Sequence, residues 1–337
     1  MRKLLISLLL LPTIIWGNEC LETRASISLN TTSARLVVAE VDKCKSIITK
    51  YFLEMGTKVD LASGIKKNDF LLNQKLEKYA LNAIKKLAEN AREFRPKNLI
   101  LVPSKSLKKV KNHLEFLKEI KKNLNCKIVL PSLETESILG FLAAKLKIPK
   151  GPVPLMVWSI NDSGSFWAIE DENQGFKIFY DKISPYIFKD MVIEGILKKD
   201  HTKFLSPNPL DNEKIKQADK LLDLYLKYNL DKFLQEKSAN YQVVGIGDFH
   251  YQSVYPLALA SLGSYKIDQL KVALEKLTNL SDKDIGGEYP EVQVTNLILA
   301  IKTMEIMKIN EVTALSVNEA DGALVFEDYW KANLDQK

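Results

Sequence analysis

Twice along the chain, three consecutive strand-like runs open a stretch in which short apolar strands alternate with long amphipathic helices. The first opening spans Ala25–Leu29, Ala34–Val41 and Ser46–Phe52. The second is "LMVWSI", "SFWAIED" and "FKIFYDKI". Apolar residues at period two beside segments of period 3.6 specify an α/β fold. The proline- and glycine-rich stretch "IPKGPVPL" between the openings reads as a linker. The repetition lies in pattern and not in residues. It predicts an internal duplication, with one half over 18–148 and a second over 149–337.

Within the first half, "NDFLLNQKLEKYALNAIKKLAENAREF" carries a helical stripe that starts after Asn68–Asp69 and stops before Pro96. "NLILVPS" is a buried strand and "SLKKVKNHLEFLKEIKKNL" a helix. "CKIVLP", opened by Cys126, is another strand, and "ETESILGFLAAKLK" another helix. In the second half the strands "YQVVGIG" and "EVTALSV" interrupt four or more helices, and "NEADGALVFEDYWKANL" predicts a terminal amphipathic helix.

The N-terminus "MRKLLISLLLLPTIIWG" has a basic start at Arg2 and Lys3, an apolar run from Leu4 to Trp16 and a small residue at Gly17. That is the grammar of a signal peptide over 1–17, with an uncleaved anchor as the alternative. The run is short for a membrane span. Cleavage near Asn18 removes two positive charges and takes the formal charge from +6 to +4. We therefore expect an exported protein, periplasmic or secreted, with no stable span after cleavage. At 46% hydrophobic and 27% charged residues the composition is that of a globular protein. The lysines are spread along helices without a basic stripe of interleaved aromatics, which argues against a nucleic-acid partner.

Export gives meaning to the three cysteines. Cys20 and Cys44 lie nearly symmetrically about a turn at Thr31–Thr32, and residues equidistant from a hairpin turn face each other. A Cys20–Cys44 disulfide is predicted, against the alternative of two separately buried thiols. Cys126 is expected to be a small core residue.

The turn itself is the puzzle. "SISLNTTSARLVVAEVD", Ser26 to Asp42, reads as a phosphate-binding hairpin that lacks the residues to hold a phosphate or a metal. Together with "KVDLASGI", "VPSKSLKKVKNHLEFLK", "LPSLETESILGFLAA", "VVGIG" and "SVNEADGAL", it resembles the Ppx/GppA family over about Ser26 to Val325. These are exopolyphosphatases and guanosine pentaphosphate phosphohydrolases. The resemblance implies a two-lobed actin-like ATPase fold, one lobe over 18–148 and the other over 149–337, with the active site in a central cleft and a C-terminal helix that returns from the second lobe to the first.

The family's first phosphate loop reads Asp-Ile-Gly-Ser-Asn-Ser-x-Arg-Leu. Here Ser33, Arg35 and Leu36 match, but Ser28 replaces the aspartate and Asn30 the glycine. In the second, Asp-Ile-Gly-Gly-Gly-Ser-Thr-Glu, Ser159 replaces the aspartate, Asn161, Asp162 and Ser163 the glycines, Ser165 the threonine and Phe166 the glutamate. The third keeps Gly245 and Gly247 and continues into Asp248 and Phe249. Glu136 stands where the family has its water-activating base, and Lys108 where it has a phosphate-binding arginine. The resemblance thus assigns phosphate binding to Ser33, Arg35, Lys108, Ser165, Gly245 and Gly247. It assigns the metal positions to Ser28 and Ser159.

Serine hydroxyls supply no charge to a Mg²⁺ ion, which prefers carboxylate oxygens. Side chains in place of loop glycines crowd the backbone N–H groups that would cradle a phosphate. The expectation is a chain that has lost or strongly reduced its phosphohydrolase chemistry, needs no cofactor, and binds a protein partner or an anionic ligand, with a homodimer carried over from the family. The alternative is an active hydrolase in which Asp162, Asp248 and Glu136 form a new acid cluster for Mg²⁺; as ordinary turn residues these aspartates would do nothing of the kind. His113, His201 and His250 show no metal-ligand spacing. Trp158 and Trp167 are read as packing, and the sequon at Asn30 falls in the predicted turn and carries no weight.

Overall fold

The computed structural model describes residues 19–59, 61, 70–149, 151–161, 164–171, 175–258 and 263–331. The expected signal peptide, Asp162, Ser163 and most of "KVDLASGI" lie outside them. The first lobe begins with three antiparallel strands, β1 (Leu21–Leu29), β2 (Ser33–Asp42) and β3 (Ile47–Lys58). β4 (Leu99–Pro103) adds parallel to β1, and β5 (Lys127–Ile128) parallel to β4, giving the order β3-β2-β1-β4-β5. The second sheet repeats the scheme with β6 (Leu155–Asn161), β7 (Gly164–Asp171), β8 (Gly175–Asp181), β9 (Gln242–Ile246) and β11 (Glu311–Leu315). Its order is β10-β11-β9-β6-β7-β8, with β10 (Ser264–Lys266) added antiparallel at the edge. The two sheets share one strand topology on dissimilar residues.

Helix α1 (Gln74–Arg92) starts at Asn73, whose side chain accepts from the Leu76 N–H, some residues later than expected. Ala80, Ile84, Leu87, Ala88 and Ala91 form its buried stripe. The predicted helix from Ser106 onward is divided into a 3₁₀ turn, Lys105–Lys109, and α2 (His113–Leu124). The cause is Asn112. Its side-chain amide bonds both the N–H and the C=O of Leu72, at 2.9 and 3.0 Å, and this tertiary pairing pins the chain where the helix would have run. In "CKIVLP", Lys127 and Ile128 form the strand that pairs with β4, the Val129 N–H adds a bond to the Leu101 carbonyl at 2.9 Å, and Cys126 lies just before the strand, buried and reduced. Cys20 and Cys44 are joined in a disulfide at the open end of the β1–β2 hairpin, with Cα atoms 5.4 Å apart.

The lobes exchange helices. α3 (Leu133–Lys147), capped by Ser132, follows the first sheet in sequence but packs on β6, β7, β8 and β9 of the second. α8 (Glu319–Val325), from the end of the chain, packs on β1, β2 and α3. Their approach is close enough to require glycine: a Cβ on Gly322 would fall 1.8 Å from the Leu139 carbonyl oxygen. The predicted amphipathic terminal helix is therefore corrected. Every residue of α8 is buried, because sheet and helix enclose it on both sides, and the chain turns extended at Phe326 before a 3₁₀ turn over Glu327–Tyr329. Arg24 in β1 holds this terminus through the Leu324 carbonyl at 2.6 Å and Glu327 at 2.8 Å. The second lobe is completed by α4 (Pro185–Gly195), α5 (Asn212–Asn229), α6 (Ile267–Leu277) and α7 (Pro290–Met307). Among the described residues no helix is long and apolar enough to cross a membrane.

Candidate functional site

The cleft lies where the β1–β2 turn, the N-terminal ends of α3 and α8, and the loop after β9 converge. Most side chains expected to bind phosphate are engaged with the protein itself. The Ser28 hydroxyl accepts the Asn318 side-chain N–H at 2.8 Å. Ser33 donates to Asp248 Oδ2 at 2.7 Å and ties the first lobe to the second. Arg35 donates to the Ser316 carbonyl at 2.8 Å and to Glu54 at 3.1 Å, and its Nε lies 3.5 Å from Asp321. The Ser165 hydroxyl is buried and donates to the Ile183 carbonyl at 3.0 Å. Lys108 is exposed on the 3₁₀ turn. These positions do not converge on a shared anion.

The glycines of the third loop play two roles. Gly247 adopts φ +82°, which its lack of a Cβ permits, and its N–H donates to the Val317 carbonyl at 3.1 Å. Gly245 is a packing glycine: an added Cβ would lie 2.5 Å from the His250 ring. His250 therefore sits in the core of the second lobe and not in the cleft. It is fully buried, bonded to the Tyr265 hydroxyl at 2.7 Å, and burial holds its pKa down at about 3, so the ring stays neutral. Trp158 and Trp167 stack in the same core with centroids 6.1 Å apart.

Glu136 occupies the first turn of α3, 3% exposed, with one oxygen 3.1 Å from the Asn161 amide and the other 3.2 Å from the Lys105 backbone N–H. It faces a cavity of about 10 Å³, room for roughly one water, lined also by Ser159, Ser137 and Glu319. Glu319 and Asp321 are the residues that sequence reading missed. "SVNEADGAL" displays them, but only the packing of α8 across the lobes brings them to the cleft. The Asn318–Asp321 capping box, two acids behind an asparagine, was the available signal. Burial first, and then repulsion from Glu136 and Asp248, raises the Glu319 carboxyl well above the ordinary range. Burial also pushes Asp321 up, and the Arg35 guanidinium only partly offsets it.

The described residues do not fit a divalent metal. Ser28 and Ser159 offer neutral hydroxyls, and the former already takes an amide proton. Among the described residues, Cys20, Asp42 and Cys44 are the one group of three His, Cys, Asp or Glu with ligand atoms within 4.8 Å of one another, and its two sulfurs are the disulfide. Glu136 and Asp248 are not part of such a group, and Asp162 lies outside the described residues.

Two lobes of repeated topology, joined by exchanged helices over a cleft, define a protein of the actin-like ATPase fold. Solved structures share it. A Ppx-GppA enzyme of Aquifex aeolicus superposes with TM-score 0.70 at 17% identity, over 90% of this chain and 99% of that one. An exopolyphosphatase-like protein gives 0.72 at 17%, over 92% and 98%. An exopolyphosphatase from Cytophaga hutchinsonii gives 0.69 at 13%, over 90% and 96%. Residues 37–157 match the Ppx/GppA phosphatase family. No curated protein matches it by sequence.

Proposed function

We propose that this chain is an exported Ppx/GppA-type protein that keeps the fold, has lost or strongly reduced phosphohydrolase activity, and works by binding. One observation carries the reading. Ser33 and Arg35, two of the expected phosphate binders, and Ser28, an expected metal position, are tied to Asp248, Ser316 and Asn318 beside a water-sized cavity bearing two buried acids. A polyanion entering there would break the Ser33–Asp248 tie and meet negative charge. Loss of one preorganised donor commonly costs about 10²–10³ in rate, and several are absent together. The basic, apolar N-terminal run and the Cys20–Cys44 disulfide support export. The binding role extends to a protein partner, a second copy of the chain, or an anionic ligand held outside the acidic cleft.

A second reading keeps the chemistry. Glu136 stands at the family's base position and is held by two donors, as an active base would be. The test is phosphate release from polyphosphate and from guanosine pentaphosphate by the purified chain, with Mg²⁺ or Mn²⁺ and a Glu136→Gln control. Release equal to the control is expected. Release far above it sinks the binding-only reading and establishes an active phosphoanhydride hydrolase with an altered metal site.

A further inference from the structure

No lysine, arginine or histidine lines the cavity beside Glu136. Its polar side chains are Glu136, Ser137, Ser159 and Glu319, and the rest of its wall is apolar. All four can accept a hydrogen bond. Glu136 already accepts from Asn161 and from the Lys105 N–H, and each of its oxygens keeps a second lone pair. Ser137 gives its proton to the Leu133 carbonyl at 3.0 Å, so toward the cavity it can only accept.

Glu319 is the residue that points to a ligand. It is more than nine-tenths buried, lines the cavity, and takes no hydrogen bond from another described residue. Glu136, Asp248 and Asp321 repel its charge, with no cation to offset them. Protons then decide the occupant. A water offers two protons and no charge to four acceptors. An ammonium ion of about the same size offers four protons and a positive charge, and charge-assisted bonds are the stronger ones. Mg²⁺ is excluded by room, because it keeps several waters and a cavity of about 10 Å³ holds one.

We propose that the cavity shared by Glu136 and Glu319 binds a dehydrated monovalent cation of water's size, ammonium or potassium, with the Ser137 and Ser159 hydroxyls completing its shell. A site lined by acceptors alone thereby takes a cation where the family's cleft takes an anion. The proposal rests on the reading that the cleft no longer holds a phosphate. The phosphate-release assay tests that reading by itself, so the two can fail separately.

The experiment is thermal unfolding of the full chain, in mildly alkaline buffer, with ammonium, potassium or tetramethylammonium chloride at equal ionic strength. Tetramethylammonium is too large for the cavity and serves as the blank. Ammonium or potassium should raise the melting temperature over the blank by about 2 °C, saturably. Ammonium above potassium assigns the site to N–H donors, and equality of the two assigns it to charge and size. Glu319→Gln keeps the shape and removes the charge, and the ion-specific rise should vanish in it. Crystals of the full chain soaked in thallium(I), a cation of potassium's charge and similar size, should show an anomalous peak beside Glu319. If Glu319→Gln does not fold, the thallium peak decides. No rise over tetramethylammonium, an equal rise in Glu319→Gln, or no thallium peak beside Glu319 overturns the proposal.

Discussion

Glu319 shows how one residue registers the closure of the cleft. It is 8% exposed and shares a cavity with Glu136. Its folded-state pKa is raised, so the native state holds a proton that the unfolded chain releases above the ordinary value of 4.5. The sign follows: the raised group favours folding at acid pH, and stability is lost as pH rises from that value through neutrality. Glu319→Gln removes the titration and keeps the shape. Its melting temperature should exceed that of the parent chain by a margin that widens between about pH 5 and about pH 9. A constant margin would show that Glu319 is ionised in the folded chain. At this scale the sequence was half legible. Glu136 could be placed from its neighbours in "LETESIL", whereas Glu319 and Asp321 became site residues only through a contact across nearly the whole chain. Arg35 could be found but its use could not, because its partners Ser316 and Asp321 come from the far end of the sequence.

Among the elements, the crossing of α3 and α8 and the β1–β2 hairpin hold the architecture. Gly322→Ala drives a methyl group into the Leu139 carbonyl, where backbone and not a flexible side chain must give way. We expect a loss of about 3 kcal/mol in denaturant unfolding, typical of overpacking in a closed contact. An unchanged midpoint would mean the helices can part freely. The Cys20–Cys44 disulfide closes a sequence separation of 24 residues. Removing it by Cys20→Ser with Cys44→Ser should cost about 3 kcal/mol, since the longer-lived freedom belongs to the unfolded chain. The disulfide followed from symmetry about a turn, a local argument. The break between the 3₁₀ turn and α2 did not, because it depends on Asn112 reaching Leu72, forty residues earlier.

For the whole molecule, the sharpest prediction concerns metal. A ligand at a hundredfold excess over its dissociation constant stabilises the folded state by about 2.7 kcal/mol. With serines at both family metal positions and no cluster of free carboxylates among the described residues, millimolar Mg²⁺ should leave the melting temperature unmoved. A clear upward shift would reveal a metal site and favour the hydrolase reading. What the sequence determined by itself was the local and the repetitive: strand and helix periodicity, the duplicated three-strand opening, the hairpin with its disulfide, and serines at Ser28 and Ser159 where the resembled loops carry aspartates. These depend on neighbours a few residues apart. What only the tertiary structure decided was which lobe each helix covers, why α8 is buried on every side, and that Ser33 and Arg35 bond across the cleft to Asp248 and Ser316. Those outcomes rest on contacts between distant segments, formed because each lobe leaves a sheet face that only a helix from the other half of the chain can cover.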